Sequence, residues 1–263
     1  MDLSWKSPHL HCCHNASSNS SSCLNSFFSC LFSHLFDFQV LDYKFELLSS
    51  SICGKPVLFL TFLAEKDEIV MGGTGSISFW KVQRKPGYVD FDSDNEARSK
   101  KNRLKNDIYL LTEKRTIRLD DEDWVSFVLY EKSQDKLYCA VETSIFVFNY
   151  LTGTLIDIFR DSHEMSITCI AYYAPFNYLL TAGKDGKIRI WNYQNALLNE
   201  FRDHFGPVTG LILAEKICEG TPIGSMPLVI SSSLDGTIRL WNFETRQCLN
   251  RYVRNRGSIF LRN

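Results

Sequence analysis

Ser233-Leu234-Asp235-Gly236-Thr237-Ile238-Arg239-Leu240-Trp241-Asn242 decides the reading of this chain, because it is the second of two copies. The first is Gly183-Lys184-Asp185-Gly186-Lys187-Ile188-Arg189-Ile190-Trp191-Asn192. Six of the last eight residues are identical, and the two tryptophans lie 50 positions apart. Asp-Gly marks a tight hairpin turn, since glycine tolerates φ > 0 and an aspartate side chain bonds nearby backbone. Beyond the turn, Ile188 and Ile190, or Ile238 and Leu240, alternate with basic or polar residues, the period of a half-buried strand. Each copy is a turn feeding a strand that ends in tryptophan, and repetition at a fixed spacing points to a repeat architecture.

The same order of elements recurs outward from both copies. In the earlier one, Ser166–Tyr172 reads as a strand, Ala174–Asn177 as a turn and Tyr178–Ala182 as a second strand. The Asp185-Gly186 turn, the Trp191 strand and a fourth strand near Leu197–Phe201 complete the unit. The later copy runs Val208–Ala214, Leu228–Ser233, Thr237–Asn242 and Gln247–Val253. Its first two strands are separated by Glu215–Met226, about eight residues longer than the turn in the earlier copy. Without that excess the spacing is about 42, within the roughly 40–45 of a four-stranded propeller blade.

With these residues in hand, the chain resembles the WD-repeat β-propeller family. That family's pattern has a His before the first strand, a Ser or Thr at the end of the second, an Asp in the next turn and a Trp ending the third. His204, Ser233, Asp235 and Trp241 match all four; His163, Asp185 and Trp191 match three, with Gly183 at the Ser place. Two weaker copies lie upstream. Trp124–Tyr130, Lys136–Val141 and Ser144–Asn149 read as three strands, with Phe148 at the Trp place, Glu142-Thr143 instead of Asp-Gly, and no His. Val57–Phe62, Glu68–Gly72 and Ser76–Trp80 form the other, with Thr74-Gly75 in the turn. The resemblance spans about residues 55–253 and implies an all-β fold, a partial β-propeller of about four four-stranded antiparallel blades. The blades are expected at about 55–82, 115–160, 163–202 and 204–253, within a repeat region 51–253 and before a tail, 254–263.

Ser, His and Asp together also suggest a nucleophilic triad, which needs a nucleophile open to substrate and an imidazole free to cycle protons. The resemblance implies instead a chain of hydrogen bonds from the Trp indole through Ser and His to the turn Asp. Removing one member leaves its buried partners unpaired, at about 1–3 kcal/mol. The reading taken is a structural clamp, with no catalytic residue. The repeats hold no P-loop, HExxH, GxSxG or paired-Cys motif, and no cofactor or metal is expected of them.

The chain's 263 residues, 44% hydrophobic and 13% aromatic, suffice for a sizeable core. A net charge of −1 argues against nucleic acid or a membrane surface as partner. Of nine cysteines, Cys12, Cys13, Cys23 and Cys30 crowd the start, and Cys53, Cys139, Cys169, Cys218 and Cys248 are scattered singly, which suits buried thiols better than a disulfide framework.

Residues 1–50 differ in composition: His9-Leu10-His11-Cys12-Cys13-His14, a Ser/Asn run over Ala16–Ser22, and an interrupted apolar stretch, Cys23–Leu41. A metal site would want a second Cys or His pair downstream, and a signal peptide an unbroken apolar core with a cleavage site. The preferred reading is a poorly ordered leader, such as an alternative start, though Asp42–Leu48 can pair as an outer strand. A second excess, Arg84–Asn106, passes from acidic Asp90, Asp92, Asp94 and Glu96 to basic Arg98, Lys100, Lys101, Arg103 and Lys105, the pattern of a solvated loop. By the strand order of a blade, this loop and Glu215–Met226 both open on one face, which is expected to be elaborated for a partner.

The resemblance implies a non-catalytic scaffold whose loops bind proteins or peptides. Lys184 and Leu234, each just before the turn Asp, and Phe205, beside His204, are the candidate contacts. About four blades are fewer than the usual ring of the family, so the expectation is a piece of a larger propeller or a short isoform, with further blades or domains of a longer chain among its partners. The expected compartment is the cytoplasm, with a loose link to cilia and flagella, whose large WD-repeat proteins carry degenerate repeats. The alternatives are a secreted or metal-binding protein using the His/Cys-rich leader, and weak nucleic-acid binding through residues 98–105.

Overall fold

The computed structural model describes residues 29–34, 37–41, 47–52, 55–85, 108–214, 227–255 and 258–262. The readings placed on residues 1–28, on the charged segment 86–107 and on the insertion 215–226 lie outside them. The chain divides into two compact units, Met1–Leu119 and Asp120–Asn263.

The first unit opens with β1 (Ser29–His34), β2 (Asp37–Leu41) and β3 (Leu47–Ile52), a three-stranded antiparallel sheet in the stretch expected as leader. A four-stranded antiparallel sheet follows in chain order: β4 (Val57–Leu63), β5 (Glu68–Gly73), β6 (Ser76–Lys85) and β7 (Ile108–Arg118). The blade expected at 55–82 therefore runs on to Arg118, and residues 115–118, assigned to the next blade from sequence, are the end of β7. Arg84 and Lys85, expected in the loop, pair instead with Tyr109 and Ile108. Alternation is weak in β7 because it is an outer strand: among its described side chains Ile117 alone is buried. On one face of this sheet Ile69, Met71 and Trp80 form a cluster, with Val57, Leu60, Val82 and Leu111 packed against it, and Val70, Ile77 and Phe79 are fully buried as well.

The second unit holds three more antiparallel sheets, each in chain order. They are β8 (Val125–Glu131), β9 (Lys136–Val141), β10 (Ser144–Asn149) and β11 (Leu155–Phe159); then β12 (Ile167–Tyr173), β13 (Tyr178–Gly183), β14 (Ile188–Trp191) and β15 (Leu197–Phe201); then β16 (Val208–Ala214), β17 (Leu228–Ser233), β18 (Thr237–Asn242), β19 (Cys248–Asn255) and β20 (Ser258–Arg262). β20 pairs with β19, so the expected tail, 254–263, contains a fifth strand.

Position within a blade sets the burial of each strand. The second strands β5, β9 and β13 are buried on both faces and read as near-continuous apolar runs. The fourth strands β11 and β15 expose Leu155, Ile156, Leu197 and Leu198. The tight turns between second and third strands need positive φ, supplied by Gly75, Gly186 and Gly236 and, where glycine is missing, by Glu142 at 51°.

The core of the second unit lies between sheets. Leu180, Ala182, Ile188 and Ile190, all fully buried, pack with Val208, Val229, Trp241 and Phe243 of the last sheet. Ala140, Ile145, Val147 and Phe159 meet Ile167, Ile170 and Leu179 in the same way. Each such Leu, Ile or Val contributes about 1.5–3 kcal/mol by leaving water. Among the described residues no helix is long and apolar enough to cross a membrane.

Candidate functional site

In the last sheet a hydrogen-bonded chain crosses from the third strand to the connection before the first. The Trp241 indole N–H donates to Ser231 Oγ at 2.8 Å, and Ser231 Oγ lies 2.7 Å from His204 Nε2. His204 Nδ1 lies 2.9 Å from Asp235 Oδ2. A carboxylate only accepts, so Nδ1 carries the proton and the Ser231 hydroxyl donates to Nε2. Asp235 also accepts from the Phe205 N–H, the Thr237 N–H and the Thr237 hydroxyl. Every polar group of the clamp is thereby satisfied, as burial requires.

The hydroxyl of this chain is Ser231, a correction to the assignment of Ser233. Trp241 stands opposite Val229 in the register, and Ser231 is two residues further along the same face. At roughly 3.3 Å of rise per residue the indole spans about 7 Å to Ser231 but would need about 13 Å to reach Ser233. Ser233 does a different job: its hydroxyl donates to Gly206 O at 2.9 Å and accepts the Asp235 N–H, pinning the turn to the loop after His204.

The sheet β12–β15 has the same chain with threonine in the hydroxyl place. The Trp191 indole donates to Thr181 Oγ1 at 2.9 Å, Thr181 Oγ1 lies 2.8 Å from His163 Nε2, and His163 Nδ1 lies 3.0 Å from Asp185. Sequence reasoning missed Thr181 by placing the hydroxyl at Gly183. That glycine is not a gap in the pattern: a Cβ there would sit 2.7 Å from His163 Nδ1 and 2.8 Å from Asp185 Oδ1.

Two arginines were also missed, although each stands two residues before its tryptophan in the repeated motif. Arg189 is 9% exposed; its guanidinium donates to Glu200 and to the backbone carbonyl of Ser162, the residue before His163. Arg239 reaches Asp203, the residue before His204, at 3.5 Å. Both brace the same connection that the histidine anchors.

The two degenerate blades have lost the clamp at defined points. Leu137 pairs with Phe148, and Ile69 pairs with Trp80. Two residues along, the hydroxyl place is held by Cys139 and Met71 respectively. Phe148 has no N–H to donate, and the Trp80 indole turns to Ser78 Oγ at 3.0 Å. Burial pushes the Cys139 thiol pKa well up, so it stays protonated and apolar in character.

Ser231 is 1% exposed and His204 6%, with the hydroxyl held between an indole and an imidazole. A triad nucleophile must face substrate, and this one faces the core. The side chains that do face outward are those beside the clamp. Phe205 is 87% exposed and Leu234 73%, while Lys184 is exposed on the equivalent turn of the preceding blade. Their backbones are fixed: the Leu234 N–H bonds Pro207 O and the Lys184 N–H bonds Ser166 O, both at 2.9 Å. Gly186 brings the two blades' loops together, since a Cβ on it would lie 2.8 Å from His204 O. On the same edge a cleft of about 480 Å³ opens beside Thr143, His163, Glu164 and Arg189.

The clamps also tie stability to pH. Burial lowers the His204 pKa against the pull of Asp235. Burial raises Asp235, but the Thr237 hydroxyl, His204 and the backbone N–H groups of Thr237 and Phe205 outweigh it and hold the carboxyl well below its usual range. Asp185 is burdened by burial and more than offset by His163, Lys187 N–H and Glu164 N–H, so it too lies low. A depressed histidine leaves the full contribution in place above its ordinary value of 6.5 and removes it as pH falls below that. The depressed carboxylates act from about pH 4 downward in the same direction. Stability of the second unit is therefore expected to decline from about pH 6.5 and to steepen below about 4. Urea titrations across this range check it: His204→Gln should flatten the upper limb, and an unchanged slope there rules His204 out as its source.

The model of the family described as "WD domain, G-beta repeat" matches residues 153–192 and 195–242. Over 109 residues the chain is 28% identical to WD repeat-containing protein 97 of Homo sapiens, which covers 41% of this chain and 6% of that protein. It is 39% identical over 89 residues to the tRNA (guanine-N(7)-)-methyltransferase non-catalytic subunit wdr4 of Dictyostelium discoideum, covering 33% of this chain and 17% of that one. It is 29% identical over 105 residues to the Periodic tryptophan protein 2 homolog of Dictyostelium discoideum, covering 40% and 10%. The chain thus spans less than a fifth of the length of each of these relatives. Two matched repeats, each clamped through Trp, Ser or Thr, His and Asp, identify residues 153–192 and 195–242 as WD repeats.

Proposed function

We propose that the chain is a non-catalytic scaffold that holds a protein or peptide segment on the loop edge carrying Phe205, Leu234 and Lys184. The observation that carries this reading is the pairing of two strongly exposed apolar side chains with backbones fixed by the Asp235 and Pro207 hydrogen bonds. Side chains on a rigid base lose little entropy when a partner covers them, so more of the contact energy appears as affinity. Their exposure gives the ligand an apolar anchor, and Lys184 adds a cation beside it. One relative is by its name a non-catalytic subunit, which fits a supporting role. A cytoplasmic location belongs to the same reading, supported by Cys139, Cys169 and Cys248, which stand as thiols. Further blades or domains of a longer chain would share the edge with the segment bound.

Selection of a displayed peptide library on the full chain, followed by titration of the recovered peptides, tests the proposal. The double substitution Phe205→Ala/Leu234→Ala is expected to weaken binding at least about tenfold, as for central anchor residues. The urea midpoint should be unchanged, and Tyr193→Ala, 73% exposed on the β14–β15 turn, should bind normally. Peptides that ignore Phe205 and Leu234 but respond to Tyr193 would move the site to the other set of turns and end this reading.

A further inference from the structure

We propose that Arg239 and Arg251 form an anion site on the last sheet, one that takes the carboxylate of an acidic side chain from a protein or peptide partner. The site is separate from the edge that carries Phe205 and Leu234, and it does not depend on that reading.

The preceding blade shows what this position holds when it is filled. Arg189 stands opposite Glu200 in the register, and its Nε donates to Glu200 Oε2 at 2.6 Å. Arg202 pairs with the other oxygen, so one carboxylate lies between two guanidinium groups. Glu164 and Asp185 bring two more carboxylates to 3.9 Å from Arg189. A buried cation needs such partners, because removing it from water is costly.

The last blade keeps the cation and lacks the carboxylate. Arg239 is 5% exposed and stands opposite Arg251, which occupies the place of Glu200. The Nε of Arg239 is buried and has no hydrogen-bond partner. Among the described residues its one ion pair is with Asp203 Oδ2 at 3.5 Å, on a side chain 56% exposed. Phe205 stands where the preceding blade has Glu164. Arg251 is exposed and has no ion pair among the described residues. Like charges directly opposite on two strands are destabilising, and a guanidinium cannot shed its proton. The register sets a third arginine, Arg262, beside Arg251. A carboxylate seated between Arg239 and Arg251 supplies the missing acceptor and relieves the repulsion together.

That carboxylate comes from outside the described blades. Residues 254–263 contain no Asp or Glu. Arg239 shares its face with Trp241, which packs on Phe201 of β15, so a further blade laid on the opposite face would not reach it. A carboxylate is the anion chosen because the preceding blade holds a glutamate between two arginines at the same register position.

Fluorescence anisotropy of a labelled hexaglutamate peptide titrated with the full chain tests this, at about 20 mM salt so that charges are little screened. Saturable binding is expected. Arg251→Glu places a carboxylate where the preceding blade has Glu200, so it should weaken binding at least about tenfold and raise the urea midpoint. Arg160→Glu makes the same change of charge at an exposed position just after β11, and should bind within about twofold of the unaltered chain. No binding by the unaltered chain, equal losses in the two variants, a lowered midpoint in Arg251→Glu, or displacement of the peptide by an equal concentration of inorganic phosphate would each overturn the proposal.

Discussion

Trp241→Ala is expected to lower the unfolding free energy of the second unit by about 3–5 kcal/mol, the range for deleting a large buried aromatic. Trp241 is 1% exposed, with the Phe201 ring centroid at 5.0 Å and the His204 ring at 5.9 Å. Its loss leaves a cavity and also strips the Ser231 hydroxyl of its donor. Trp241→Phe keeps most of the packing but not the N–H, so it should cost about 1–3 kcal/mol. Urea unfolding of the full chain by circular dichroism provides the measurement. The same experiment separates the two serines: Ser231→Ala leaves an indole donor and an imidazole acceptor unpaired at once, whereas Ser233→Ala frees groups of a partly exposed turn. The loss at Ser231 should be the larger, and a larger loss at Ser233 would contradict the clamp as drawn.

The second large effect concerns a pair of glycines with the same backbone and different surroundings. Gly186 has φ of 75° and Gly236 of 79°. Any side chain at these angles costs about 1–2 kcal/mol. A Cβ on Gly186 additionally meets His204 O at 2.8 Å and Gly206 O at 3.2 Å, while one on Gly236 meets nothing within 4 Å. Overpacking of this sort adds about 1–3 kcal/mol. Gly186→Ala should thus destabilise by about 2–5 kcal/mol and Gly236→Ala by about 1–2. Because the obstructing atoms belong to the loop that presents Phe205, Gly186→Ala should also weaken binding of any segment that Phe205 anchors. Equal losses at the two positions would show that the loop yields freely.

The inner strands of the last two blades were legible because burial imposes a pattern. Ile188, Ile190, Ile238 and Leu240 alternate with arginine and polar neighbours, and Asp-Gly permits one kind of turn. Asp235 and Trp241, with Asp185 and Trp191, were legible from the repeat, and His204 and His163 from the resemblance to WD repeats. β7, by contrast, was hidden by its own exposure: Tyr109 to Arg118 buries too little for alternation to be imposed on it. The pairing of β19 with β20 likewise depends on hydrogen bonds between backbones, which any side chain supplies.

The sequence alone determined a repeated four-stranded unit and the chemistry available to its clamp. Only the tertiary structure decided which hydroxyl closes it, Ser231 rather than Ser233 and Thr181 rather than a residue at 183. The physical reason is geometric. Serines two residues apart share a face and a chemistry, and only the register of the neighbouring strand brings one of them within hydrogen-bond reach of the indole.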